Sequence, residues 1–282
     1  VNAPLALAYS VSRPRFWIYT GGTYVLGYAL GMASWTAFFL PAYTLYLIYF
    51  FFPANVFIYG VNDRWDRETD RLNRKKGEKE HYLVDAERRD LGTVLLLVGG
   101  LSLLLLVSQT LEEKIVFLLF LFLSYFYSAP PLRFKEVPVL DFSSNMLYIM
   151  PGIFGYLLAA GTFPPTLLVA AGYLHIAAMH LFSAVPDIEC DRAAGITTTA
   201  VYLGERASLL LCLLFWSGFA ILVMALAGFS LLALPVLLFP AVPLSLLLSR
   251  RMRIDAVYWY LPLVNTALGG LAFTAVTLSK AI

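Results

Sequence analysis

Nine apolar stretches, each close to the length that crosses a bilayer, decide what this chain can become. A spanning helix needs about 20 mostly apolar residues, because its backbone N–H and C=O groups find no water in lipid. The stretches lie at roughly 15–33, 36–62, 91–109, 114–130, 138–160, 163–186, 206–228, 229–249 and 256–279. The balance of the chain agrees: 60% of its 282 residues are hydrophobic and 13% are charged, with a mean hydropathy of +0.76. Soluble domains carry about 25% charged residues. The reading is an all-α, polytopic membrane protein with nine transmembrane helices, forming a single integral-membrane domain over residues 1–282. The first fifteen residues lack the basic start and apolar core of a signal peptide, and the absent initiator Met suggests a trimmed start. Cys190 and Cys212 form no disulfide or metal pattern.

The charges fix an orientation. The connections near 34, 110, 162 and 228 are almost uncharged, whereas those at 63–90, 131–137, 187–205 and 250–255 are rich in charge. With the N-terminus cytoplasmic, 18 of the 20 Lys and Arg fall on the cytoplasmic side, and only Lys114 and Lys280 fall outside. The positive-inside rule then puts the C-terminus outside. A net charge of +2 is too small to argue for nucleic acid.

Two acidic clusters stand at cytoplasmic ends of these helices. The first is NDRWDRETD, Asn62 to Asp70. On a continued helix, Asn62, Asp66, Asp70 and Asp63 share one face about 100° wide. That face extends upstream through Asn55 and Tyr59, while Glu68 points away. Three carboxylates on one face repel each other unless a cation sits among them. Asp and Asn oxygens, with no His or Cys, suit a hard ion such as Mg²⁺. In the second cluster, DIECD, Asp187 and Asp191 share a face with Ser183 and His180, and Glu189 lies opposite. Mg²⁺ takes few protein carboxylates and keeps room for substrate phosphates. Two separated sets of aspartates therefore suit Mg²⁺ ions clamping a diphosphate. A solvated helix end explains one such cluster readily and explains two, on the same side and at the same depth, poorly.

A diphosphate also needs cationic side chains. Arg67 interleaves with the first cluster, Arg192 follows the second, and Arg133 and Lys135 sit in YSAPPLRFK between the fourth and fifth helices. Arg13, in SRPRFW, is a further candidate. Arg71, Arg74, Lys75, Lys76 and Lys79 read as topology determinants. Asn145 enters the fifth helix, where it makes either an interhelical hydrogen bond or a phosphate or metal contact. Tyr59, Tyr127 and Tyr148 lie near the acidic faces, where ring faces can stabilise a carbocation. His175 reads as a bundle histidine; His180, on the face of Asp187, is the better site candidate.

These residues resemble a known family. Asn62-Asp63-x-x-Asp66-x-x-x-Asp70 looks like the first signature of the UbiA superfamily of intramembrane prenyltransferases. Asp187-x-x-x-Asp191 followed by Arg192, Gly195 and Thr198 resembles its second, and YSAPPLRFK its intervening Tyr-Ser-Pro-basic loop. The resemblance runs from RPRFW to the last helix. It implies a nine-helix bundle around a central cavity whose cytoplasmic mouth holds Mg²⁺ and the diphosphate of an allylic prenyl donor. By resemblance Asn62, Asp66, Asp70, Asp187 and Asp191 form the metal set, with the four aspartates catalytic and Asp63 supporting. Tyr127, Arg133 and Lys135 match the region that contacts diphosphate. The 71–90 segment reads either as a lid that closes over the mouth or as an inert solvated loop. The implied reaction ionises the allylic C–O bond, and an electron-rich lipophilic acceptor attacks the cation. SRPRFWIYTGGTYVLG and AMHLFSAVPDIECDRAAGITTTA are similar to the lycopene elongases of the superfamily, which add a C5 unit from dimethylallyl diphosphate. Other branches prenylate aromatic quinone precursors or geranylgeranylglyceryl phosphate.

Two other classes compete. CDP-alcohol phosphotransferases gather their aspartates in one segment beside an Asp-Gly pair; here they are split between distant segments and that pair is missing. A cation-coupled transporter places its ion sites at mid-membrane on broken helices, whereas these clusters lie at the cytoplasmic edge.

Overall fold

The computed structural model describes residues 3–66, 83–249 and 252–280. Asp70, Arg67 and most of the 71–90 segment lie outside the described residues. Every regular element among those described is helical. In chain order the α-helices are α1 Ala3–Val11, α2 Gly21–Gly31, α3 Pro41–Phe51, α4 Pro53–Trp65, α5 Arg88–Leu105, α6 Leu111–Phe126, α7 Leu140–Ser143, α8 Met150–Ala160, α9 Thr166–Ala184, α10 Ile188–Ala193, α11 Thr199–Leu203, α12 Glu205–Leu226, α13 Leu238–Leu248, α14 Ile254–Tyr258 and α15 Leu261–Ser279. Short 3₁₀ turns join several of them.

Six helical runs among the described residues are long and apolar enough to cross a membrane: Pro41–Trp65, Asp85–Ser108, Thr166–Ala193, Glu205–Leu226, Leu231–Leu248 and Ala256–Ser279. The other three expected stretches are helical but shorter or broken. The first divides into a 3₁₀ turn, Pro14–Tyr19, and α2. The fourth is the 16-residue α6. The fifth breaks into α7, a 3₁₀ turn over Ser144–Tyr148 and α8, which restarts with Pro151 in its first turn. Proline lacks an N–H and cannot continue an upstream helix.

The two runs that carry the acidic clusters are the central ones. The apolar windows of Pro41–Trp65 and Thr166–Ala193 are 61% and 50% buried, against 17–22% for the other four. Those four turn most of their surface outward, as lipid-facing helices do. Around the first central run lies an aromatic core in which Tyr24, Tyr28, Tyr46, Tyr49, Phe50, Phe117, Phe120 and Phe154 touch. A second core, around Phe182, Trp216 and Phe239, packs α9 against α12 and α13. The α2–α8 contact is a close backbone approach: a Cβ on Gly27 would meet the Gly152 carbonyl oxygen at 2.0 Å, and one on Gly31 would meet that of Tyr156 at 2.6 Å. Small residues four apart permit this approach in membrane bundles.

Two expectations about the first acidic helix change. The chain kinks between α3 and α4, because Pro53 opens α4 and leaves upstream carbonyls without their usual donors. Asn55 does not present its amide to the acidic face. It is fully buried and donates to the carbonyls of Phe50 and Phe51, at 3.1 and 2.9 Å, and to Thr20 Oγ1 at 2.7 Å. Its role is to satisfy the kink. At the other end, α4 stops at Trp65, and Asp66 turns out of helical geometry with φ −98° and ψ 3°. The acidic face is therefore not one uninterrupted helix through Asp66.

Candidate active site

A cavity of about 300 Å³ lies between the two central runs. Its wall includes Asn62 from α4, His180 and Ser183 from α9, Asp187 from the following turn, and Asp191 from α10. His180, Ser183, Asp187 and Asp191 form one stripe because their spacing of three, four and four keeps them on one helical face. Glu189 is exposed, on the opposite side. Lys135, Tyr127 and Asn145 also line the cavity, as do Arg13, Tyr59, Tyr148, Thr198 and Ile196. Phe16, Tyr19, Ile58, Ile176 and Met179 add apolar and aromatic surface to the same wall. Polar groups of both clusters thus meet around a greasy pocket.

The first cluster forms a tight polar knot. Asn62 Nδ2 donates to an Asp66 carboxylate oxygen and to Ser128 Oγ at 2.9 Å, and Ser128 reaches the same Asp66 oxygen at 3.4 Å. Asp66 is only 3% exposed and is ion-paired with Lys135, with Arg133 at 3.7 Å. Arg133 also pairs with Glu136. Arg133 is therefore beside the site through Asp66 rather than on the cavity wall. Asp63 is 1% exposed and takes the guanidinium of Arg13 at 2.7 Å. Arg13 reaches Asn62 Oδ1 at 3.3 Å as well, and stacks 4.6 Å from the centroid of Tyr59. A buried carboxylate needs such a partner, since desolvating it alone is costly. Asp63 accordingly anchors Arg13, and Arg13 orients Asn62.

The second cluster is held by turn chemistry. Gly195 has φ +73°, a left-handed conformation that favours glycine. It reverses the chain after α10, so that the Ile196 N–H returns to the Asp191 carbonyl at 2.9 Å. Thr198 then caps α11, its hydroxyl accepting from the Val201 N–H at 3.2 Å. The glycine and threonine of the second signature thus fold the chain back onto the cavity. Arg192 is exposed and is not part of the cavity wall.

Asn145 donates to the Asp141 carbonyl at 2.6 Å while lining the cavity. The Tyr127 ring meets His180 edge-on, with centroids 6.0 Å apart. His175 is a bundle histidine: Trp216 Nε1 donates to its Nδ1 at 3.3 Å, and its Nε2 lies 2.9 Å from Asn265 Oδ1. Because Nδ1 accepts, Nε2 carries the proton in this arrangement. Ser128, the serine of the YSAPPLRFK loop, belongs to the site's framework, as do Asp141 and Thr199, which fall in no motif of the sequence. Among the described residues no group of three or more His, Cys, Asp or Glu gathers as a metal cluster.

Residues 20–261 match the model of the UbiA prenyltransferase family. The chain belongs to the UbiA prenyltransferase family. Among its relatives is a lycopene elongase/hydratase of Halobacterium salinarum, 41% identical over 94% of this chain and 94% of that one. Another of the same name, from Haloarcula japonica, is 38% identical over 95% of this chain and 90% of the relative. The fold is similar to a UbiA homologue of Archaeoglobus fulgidus solved with DMAPP and Mg²⁺, at a TM-score of 0.72 and 22% identity, covering 96% of this chain and 98% of that one. This UbiA-family chain is an integral membrane protein and a prenyltransferase.

Proposed function

We propose that this UbiA-family enzyme moves the C5 prenyl group of dimethylallyl diphosphate to lycopene or a closely similar polyene, releasing diphosphate in a Mg²⁺-dependent reaction. The observation that carries the reading is one cavity whose wall combines Asn62, Lys135, Asp187 and Asp191 with tyrosines and aliphatic side chains. The names of the two haloarchaeal relatives support the polyene acceptor. An aromatic quinone precursor or geranylgeranylglyceryl phosphate is the alternative acceptor.

The donor set fits Mg²⁺: Asn62, Asp66, Asp187 and Asp191 offer oxygen, and Asp70 completes the first signature in sequence. When bound there, Mg²⁺ supplies Lewis-acid neutralisation of the leaving diphosphate. The chain's own residues do the rest. Lys135, reaching from Asp66 to the cavity wall, offers an ammonium to the phosphate oxygens. Arg133 holds Asp66 from outside the cavity, and Arg13 holds Asn62 in place. The allylic C–O bond breaks with its electron pair going to the diphosphate. Phe16, Tyr19, Tyr59 and Tyr148 wall the space around the resulting cation with ring faces and edges, which exclude water and stabilise positive charge. Electrons of an acceptor double bond form the new C–C bond, and the adduct loses a proton.

We further read nine passes, N-terminus cytoplasmic and C-terminus outside, with the site opening to the cytoplasm. Supporting this, all nine apolar stretches contain helix, and 18 of the 20 basic residues fall on one side of a nine-pass topology. The direct test is diphosphate release in purified membranes from dimethylallyl, geranyl and geranylgeranyl diphosphate, with and without Mg²⁺. Lycopene, a 4-hydroxybenzoate and geranylgeranylglyceryl phosphate are offered in turn. Mg²⁺-dependent release with dimethylallyl diphosphate and lycopene is the expected result. Release only with one of the other acceptors overturns the polyene assignment.

A further inference from the structure

A fully buried carboxyl group, Asp141, stands behind the cavity and touches no substrate position. Both its oxygens are taken by a residue 58 positions away. Oδ2 accepts the Thr199 backbone N–H at 2.7 Å, and Oδ1 accepts the Thr199 hydroxyl at 2.5 Å and the Phe142 N–H at 2.9 Å. The Thr199 hydroxyl in turn accepts the Val139 N–H at 2.7 Å. Val139 has φ 72°, a conformation that a β-branched residue rarely adopts and holds only where its surroundings impose it. Thr199 is 3% exposed, so its hydrogen bonds face little competition from solvent.

The position of this pair gives it a consequence. Val139 ends the loop that presents Arg133 and Lys135, and Thr199 directly follows Thr198 on the cavity wall, shortly after Asp191 and Ile196. Asn145, also on the wall, is fixed by the Asp141 carbonyl. We propose that Asp141 and Thr199 are positioning residues that clasp the basic loop to the second acidic segment, and so set the gap across which a diphosphate is held. The proposal rests on the diphosphate reading above. Neither residue is a catalytic residue; each acts through Lys135, Asn145 and Thr198. The positive-φ backbone of Val139 is held next to the clasp by its N–H bond to the Thr199 hydroxyl.

The test compares Thr199→Val, which keeps the shape and removes the hydroxyl, with Thr199→Ser, which restores it. Two quantities are read: calorimetric binding of a non-hydrolysable dimethylallyl thiolodiphosphate with Mg²⁺, and the donor KM against kcat. Thr199→Val should weaken analogue binding and raise donor KM about tenfold, the worth of one or two buried hydrogen bonds, with a smaller change in kcat. Thr199→Ser should lie within about twofold of wild type on both readings. If Thr199→Val does not accumulate as folded protein, Asp141→Asn is read instead, with the same expected direction. Wild-type analogue affinity in the folded hydroxyl-less or amide variant overturns the clasp alone. Failure of wild-type protein to bind the analogue overturns the diphosphate reading and the clasp with it.

Discussion

At the scale of single residues, the aspartates of the two motifs have separate jobs. Asp187 and Asp191 face the cavity, Asp66 is held between Asn62, Ser128 and Lys135, and Asp63 is paired to Arg13. Asp191→Ala should lower turnover about 10²–10³-fold, by analogy with removing one preorganised group that stabilises developing charge. The folded yield in detergent should be unchanged, because Asp191 is only half-buried at a helix end. Asp63→Ala should behave oppositely. It strands the Arg13 guanidinium in a largely buried site and should cost about 3 kcal/mol of stability, seen as a lower thermal midpoint in detergent. Normal melting of that variant would contradict the anchoring role of Asp63. The face of the second motif was legible in the sequence, because helical spacing puts His180, Ser183, Asp187 and Asp191 on one side, whereas the end of α4 before Asp66 was not. Asp141 and Thr199 were not legible either, because they meet across 58 residues of chain with no local pattern to betray the pairing.

At the scale of elements, the breaks matter as much as the helices. Hydropathy counts apolar residues and is blind to where a run kinks. The 36–62 stretch therefore reads as one helix, yet Pro53 divides it and Asn55 repairs the exposed carbonyls. Asn55→Leu should destabilise the protein by about 1–3 kcal/mol, since those carbonyls would lose a donor in an apolar interior. Gly27→Ala should also destabilise, by about 1–3 kcal/mol or more, as its methyl meets the Gly152 carbonyl. Thermal melts of both variants check these values. The same blindness explains the fifth stretch, where Pro151 lies at a restart that a window average smooths away.

At the scale of the whole molecule, the two helical runs that carry the acidic motifs are the two most buried of the candidate spans among the described residues. This follows from cost: charged groups are tolerated near lipid only where protein or a polar cavity surrounds them. The all-helical membrane fold was legible because lipid permits few other solutions. Which helices stand at the centre was not, since the outer runs are as apolar as the inner ones, or more so. The central claim is that one diphosphate bridges two clusters that the chain keeps far apart in sequence. The most direct measurement is the affinity of dimethylallyl thiolodiphosphate for wild-type, Asn62→Ala and Asp187→Ala proteins, each with and without Mg²⁺. The account predicts Mg²⁺-dependent binding by wild type and its loss in both variants. Binding that ignores Mg²⁺, or that survives intact when either cluster is cut, would contradict it.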